Sequence, residues 1–197
     1  MKKLAELLKE YRADFGGTLI QNTLPGLYDL IQYVHKNKPN VMSTGSNISV
    51  LEIGSFEGVS TELFAMTCQS VHAVDGWDLA VTENNYDGIP KERLIQAEKV
   101  FRDKMRSYAN VILAKCLSST AHVHFDDNMY DLVYIDADHK EKAVYDDIMN
   151  WKSKVREGGF IAGHDYSNIY TVRNAVDSAF GKPDKVFSDC SWIKKCT

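Results

Sequence analysis

Five short, predominantly apolar runs constrain this chain more than any other feature. They are Ile48–Ile53, Val71–Val74, Val111–Ala114, Leu132–Ile135 and Phe160–Ala162. None shows the strict apolar/polar alternation of a strand with one wet face, so each reads as a strand covered on both sides. Helical periodicity fills the intervals. Val144, Ile148, Trp151 and Val155 follow one another at spacings of 4, 3 and 4, a single buried stripe. Ile169, Val172, Val176 and Phe180 repeat the pattern, with Ser167 or Asn168 as the expected N-cap. Strands alternating with helices indicate a parallel sheet between two helical layers. After Phe180, Asp184–Phe187 and Trp192–Lys195 follow without a helix between them, which predicts a terminal antiparallel hairpin.

Ahead of the first strand, Leu4, Leu7, Leu8, Tyr11 and Phe15 predict a helix that stops near Gly16-Gly17. A second helix is expected over Pro25–His35, and the polar stretch Asn37–Asn47 reads as a connection. The expected division is a helical cap over 1–45 and a core domain over 46–197. With 197 residues, of which 44% are hydrophobic and 25% charged, one core suffices without staples. A formal charge of −4, with 23 basic residues dispersed among 27 acidic ones, argues against a nucleic-acid partner. No run approaches the roughly 20 apolar residues of a membrane span. Cys68, Cys116, Cys190 and Cys196 form no C-x-x-C pair, which points to a reduced, cytoplasmic chain. The sequon at Asn47 reads as chance.

The chemistry concentrates at strand ends. In Glu52-Ile53-Gly54-Ser55-Phe56-Glu57-Gly58 a strand runs into a glycine turn and then a helix whose first N–H groups are free for a ligand. The spacing is E-x-G-x-x-x-G, not the G-x-G-x-x-G of dinucleotide binders, and no Walker lysine follows. Asp75 ends the next strand, where an acid can accept from both hydroxyls of a ribose. Asp136 ends Leu132–Ile135, and Asp165 follows Gly159–His164. Three acids with His139 and His164 on the carboxyl rim of one sheet make a candidate site. His35, His72, His122 and His124 lack such company and read as ordinary.

With these motifs in place, the chain resembles the class I S-adenosylmethionine-dependent methyltransferases, and within them the small O-methyltransferases of methyltransferase family 24. The resemblance runs from about residue 48 onward and rests on VLEIGSFEGVST, VHAVDGW, DLVYIDADHKEKAVYDDIMNW and VREGGFIAGHDY. It implies an α/β, Rossmann-like seven-stranded sheet of order 3-2-1-4-5-7-6 with the last strand antiparallel, helices on both faces, and two extra N-terminal helices. It also implies that Glu52, Gly54, Ser55 and Gly58 surround the methionine part of the cofactor. Asp75 would hold the ribose, Trp77 would pack on the adenine or lie in the core, and Cys116, Leu117 and Ser118 would line the adenine edge. This last segment departs from the Gly-Asp-Ser-like turn of the family.

Asp136 and Asp165 match positions that hold a divalent metal in catechol-type O-methyltransferases, which implies Mg²⁺. Tyr166, however, stands where those relatives carry Asn. His139 falls where they place a catalytic Lys, and an imidazole is the better base near neutral pH; His164 is a second candidate, with Asp136 at both cofactor and acceptor. The expected reaction is methylation of a hydroxyl on a small polar acceptor, a sugar or glycosylated metabolite first. The N-terminal helices would cap the acceptor side or form a homodimer contact, and the turn-rich Asn84–Pro90 would act as a lid. Two other classes share part of the signal. A nicotinamide-dependent oxidoreductase needs a glycine turn and a ribose acid, but at other spacing. A non-catalytic adenosine-cofactor-binding protein would need neither Asp136 nor His139. The Asn/Asp-Pro-Pro-aromatic loop of amino-group DNA methylases is missing after the fourth strand.

Overall fold

The computed structural model describes residues 4–10, 14–15, 18–19, 24–38, 48–81, 85–86 and 88–196. Seven strands form one sheet: β1 Ser49–Ile53, β2 Ser70–Asp75, β3 Val111–Lys115, β4 Tyr130–Ile135, β5 Val155–Gly163, β6 Lys185–Val186 and β7 Trp192–Lys195. Their order is β3-β2-β1-β4-β5-β7-β6, with β7 antiparallel to both neighbours and every other pairing parallel. The five apolar runs are therefore the five parallel strands, and the expected hairpin is β6–β7.

The helices are α1 Leu4–Glu10, α2 Leu24–Asn37, α3 Val59–Thr67, α4 Lys91–Met105, α5 Ser118–Ala121, α6 Glu141–Trp151 and α7 Tyr170–Phe180. One core joins Leu7, Leu30, Phe64 and Phe101 of α1 to α4 to Val50, Leu132, Tyr134 and Phe160 on one face of the sheet. The other core joins Val144, Ile148 and Trp151 of α6 and Val172 and Val176 of α7 to Leu51, Val133 and Ile161. Successive strand residues thus alternate between two buried faces, which is why the strands are apolar on both. The core containing α1 and α2 is continuous with that of the strands.

Several boundaries differ from the sequence reading. The first helix is described over Leu4–Glu10, and Phe15, expected on it, lies instead in a strand, Asp14–Phe15 pairing antiparallel with Thr18–Leu19; Tyr11, Gly16 and Gly17 lie outside the described residues. Val155 is not the last turn of α6. That helix closes at Trp151, a 3₁₀ turn covers Lys152–Lys154, and Val155 opens β5. Neither Ser167 nor Asn168 caps α7; the N-cap is Ile169, with no side-chain capping bond. Within Asn84–Pro90, the segment expected to act as a lid, Asn85–Tyr86 pair with Ile89–Pro90. Asn84 and Asp87 lie outside the described residues, as do 39–47 of the connection and the sequon at Asn47. Helix α4, with Leu94, Ala97, Phe101 and Met105 buried at helical spacing, escaped the sequence reading because charged residues outnumber its apolar stripe.

Candidate functional site

The carboxyl ends of β1, β2, β4 and β5 meet at one rim. The ladder extends one step past the strands there: Gly54 N–H donates to the Val74 carbonyl at 2.8 Å, and Asp136 N–H to the Ile53 carbonyl at 2.7 Å. Gly54 has φ +88°, and a Cβ on it would lie 2.1 Å from the Asp136 carbonyl oxygen. This glycine is therefore required by contact between two loops of the chain itself. Gly58, at φ +74°, makes the N-cap of α3, and a Cβ there would press on the Phe101 ring at 2.8 Å.

Glu52 lies wholly buried beneath this turn. Its carboxylate accepts from the hydroxyls of Ser55, Ser60 and Thr61. Burial pushes its pKa up to about 7, against the pull of those three hydroxyls and with a contribution from the Asp136 charge. Glu52 thus orders the loop and the first turn of α3 from inside. Ser55, 4% exposed, is part of that cluster.

Asp75 clamps the same loop from the side. Its Oδ2 accepts from the N–H groups of Ser55 and Phe56 at 2.8 and 2.9 Å, and its Oδ1 from that of Trp77 at 2.7 Å. Burial raises the Asp75 pKa while the three N–H bonds oppose it. Phe56 and Trp77 both sit at positive φ, 45° and 40°. Such backbone costs about 1–3 kcal/mol per residue and persists only when over-determined by its surroundings. Asp75 supplies that constraint.

Trp77 itself is 1% exposed. Its indole N–H donates to the Phe56 carbonyl at 2.9 Å, and its ring meets Phe101 edge-on, so of its two expected places it takes the core. Beside it, Cys116 N–H donates to the Asp75 carbonyl at 3.0 Å, and Leu117 abuts Gly76. Ser118 opens α5 and hydrogen-bonds the buried Asp147 of α6, which burial pushes up to about 7. At the end of β3, Lys115 bridges Asp78 and Glu98 at 2.6 Å each, a cluster that sequence reasoning missed. No spacing rule joins three charges from a strand, a 3₁₀ turn and a helix.

The second half of the site lies beyond β4 and β5. His139 Nε2 stands 3.1 Å from Asp165 Oδ2 and 3.8 Å from Asp136 Oδ1. Single ligand atoms of Asp136, His139 and Asp165 all fall within 4.8 Å of one another, the separation at which a cation can be shared. His164 Nδ1 lies 3.2 Å from the same Asp165 oxygen. Asp165 occupies left-handed backbone, φ 62°, which turns its carboxylate between the two histidines. Burial alone would raise the Asp165 pKa, but hydrogen bonds from His139 and His164 hold it well below the usual carboxylate range. For His164, burial works downward, yet the Asp165 hydrogen bond and the charges of Asp136, Asp165 and Asp189 raise its pKa to about 9. His164 thus ties the start of the segment after β5 to Asp165 through its Nδ1. Among the described residues no helix is long and apolar enough to cross a membrane.

The family model described as "Methyltransferase domain", methyltransferase family 24, matches residues 51–166, more than half of the chain. A search of curated proteins gave no match. Among solved structures, the O-methyltransferase NovP is similar at 16% identity and a TM-score of 0.59, over 93% of this chain and 85% of that one. An rRNA methylase from Streptococcus thermophilus is similar at 12% identity and 0.57, over 87% and 97%. The chain spans half the length (50%) of YcgJ from Bacillus subtilis, at 14% identity, a TM-score of 0.49 and 71% coverage of this chain. At these identities the structures speak for the fold, whose strand order is the one the sequence motifs imply. By its family-model match, the chain belongs to methyltransferase family 24, within the class I S-adenosylmethionine-dependent methyltransferases.

Proposed function

We propose that this methyltransferase acts on a hydroxyl of a small polar acceptor, a sugar or glycosylated metabolite before other classes. The observation that carries the reading is the convergence of Asp136, His139 and Asp165 within 4.8 Å at the rim beside the glycine turn. Methyl transfer is an in-line displacement at a sulfonium carbon, so catalysis consists mainly of holding the acceptor oxygen close and aligned. A hydroxyl must also lose its proton, and this cluster is the place on the rim equipped for that.

The cofactor fits the turn as built. Asp75 keeps one acceptor position on Oδ1 after its three N–H bonds, enough for one ribose hydroxyl. The first-turn N–H groups of α3 face the amino-acid end beside Ser55 and Gly58, while Glu52 supports both from below. Cys116, Leu117 and Ser118 are the proposed adenine edge, with Lys115 fixing its flank through Asp78 and Glu98.

Asp136, His139 and Asp165 also fit a divalent cation, whose chemistry would be to lower the pKa of the acceptor hydroxyl. An imidazole in the set widens the expectation from Mg²⁺ to ions such as Mn²⁺. His139 serves the metal-free reading as base, oriented by its contact with Asp165. Four free cysteines accord with a cytoplasmic setting, and the N-terminal helices would join two copies as a homodimer. The test is transfer of labelled methyl from the cofactor to a panel of sugars and matched amines, with and without chelator. Label on a sugar oxygen supports the reading, and label confined to amines refutes O-transfer. Transfer that survives both chelation and Asp165→Ala removes the metal.

A further inference from the structure

Under the rim, between the sheet and the N-terminal helices, lies a cavity of about 100 Å³. Leu24 and Leu27 of α2 wall one side, and Ser60, Asp136, His164 and Asp189 supply polar groups. That space is about three waters' worth of liquid, room for a few heavy atoms but not for a nucleoside.

Asp189 comes from the turn of the β6–β7 hairpin and is 6% exposed. Its Oδ1 accepts from the Ser191 N–H at 3.1 Å and its Oδ2 from the Ser191 hydroxyl at 2.7 Å. Each oxygen therefore keeps an acceptor position. The chain is shaped to keep this acid where it is. A Cβ on Gly26 would lie 2.6 Å from Cβ, Cγ and N of Asp189, so only glycine lets the first turn of α2 close on the hairpin. Glycine inside a helix costs about 1 kcal/mol relative to alanine, and the close approach to Asp189 accounts for it here.

His164 supplies the second feature. Its Nδ1 is turned to Asp165, and its buried Nε2 has no hydrogen-bond partner among the described residues. Protonated, that nitrogen needs an acceptor; neutral, it needs a donor. A group carrying both an ammonium and a carboxylate answers either state. An ammonium has three N–H donors and no acceptor, which suits the open positions on Asp189 and Asp136. The carboxylate partner of such a group is matched by the orphan N–H groups at the start of α3, where Ser60 lies.

We propose that this cavity takes the α-amino-acid head of the cofactor, with Asp189 of the C-terminal hairpin as an acceptor for its ammonium group. The hairpin, and not the glycine turn alone, then discriminates S-adenosylmethionine from nucleosides that lack the amino acid. This rests on the cofactor assignment above. An amine on the acceptor molecule would offer the same chemistry, and the experiment separates the two sources.

Calorimetry would compare S-adenosylhomocysteine, its deaminated analogue and 5′-methylthioadenosine, on the wild type and on Asp189→Asn. The wild type should bind S-adenosylhomocysteine at least about tenfold more tightly than the deaminated analogue. Asp189→Asn should lose a comparable factor for S-adenosylhomocysteine and leave 5′-methylthioadenosine unchanged. Equal binding of the two homocysteine ligands by the wild type overturns the proposal without any variant. So does unchanged S-adenosylhomocysteine affinity in Asp189→Asn, the outcome expected if the acid serves an acceptor amine. Equal loss of both nucleosides would assign Asp189 a role in holding the hairpin and also overturn it. A wild type that binds none of the three refutes the cofactor assignment itself.

Discussion

Replacing Glu52 by Gln tests the internal support of the glycine turn. The carboxylate is wholly buried, and its pKa rises from 4.5 to about 7, chiefly through burial. An acid with a raised folded-state pKa keeps its proton in the native protein after the unfolded chain has released it. Stability therefore declines as pH rises from 4.5 through about 7 and is flat above. The gap corresponds to about 3 kcal/mol. Glutamine preserves the shape and cannot ionise, so this decline disappears in Glu52→Gln. Its NH2 group cannot accept, so at least one of the Ser55, Ser60 and Thr61 hydroxyls must turn to accept from it and gives up the acceptor for its own proton, a cost of about 1 kcal/mol at any pH. Urea unfolding of both proteins at several pH values between 4.5 and 8 reads the difference directly, since other titrating groups cancel. The variant should be the less stable protein at the acid end and the more stable one at pH 8, the curves crossing between. Parallel curves would show that Glu52 is ionised throughout, and the account of a strained acid beneath the loop would be wrong.

Two further outcomes follow from the same rim. Gly54→Ala combines φ +88° with a Cβ placed 2.1 Å from the Asp136 carbonyl, and should cost about 3 kcal/mol or more in urea unfolding. A change below about 0.5 kcal/mol would mean that the two loops do not touch. His164, with a folded-state pKa of about 9 against 6.5 unfolded, stabilises fully below pH 6.5 and loses that contribution as pH rises through 9. The wild type should therefore lose stability across that window relative to His164→Gln, as followed by thermal unfolding, and a constant difference would refute the charge assigned to His164.

The sheet was legible because burial on both faces writes itself as apolar runs, and all five runs are parallel strands. Strand-end acids were legible for a related reason: an acid directly after such a run has nowhere to be but the rim. Helix α4 was not, since its four buried residues are diluted by nine charged or polar ones, nor was the early stop of α6, where Val155 keeps the helical spacing yet begins β5. Contacts stayed hidden where they join chain segments distant in sequence. Asp189 meets Gly26 across most of the chain, and Lys115 gathers Asp78 and Glu98 from two other elements. Nor does a motif distinguish an acid that touches a ligand from one that supports the loop: Glu52 is completely enclosed, and Asp75 already holds three backbone N–H groups.

The turn after β1, clamped by Asp75, is the proposed seat of S-adenosylmethionine. Calorimetric titration of the wild-type protein with S-adenosylhomocysteine and, separately, with NAD tests it most directly. Saturable binding of S-adenosylhomocysteine at one site per chain, weakened by Asp75→Asn, with no heat from NAD, is the predicted result. Binding of NAD with none of S-adenosylhomocysteine would contradict it.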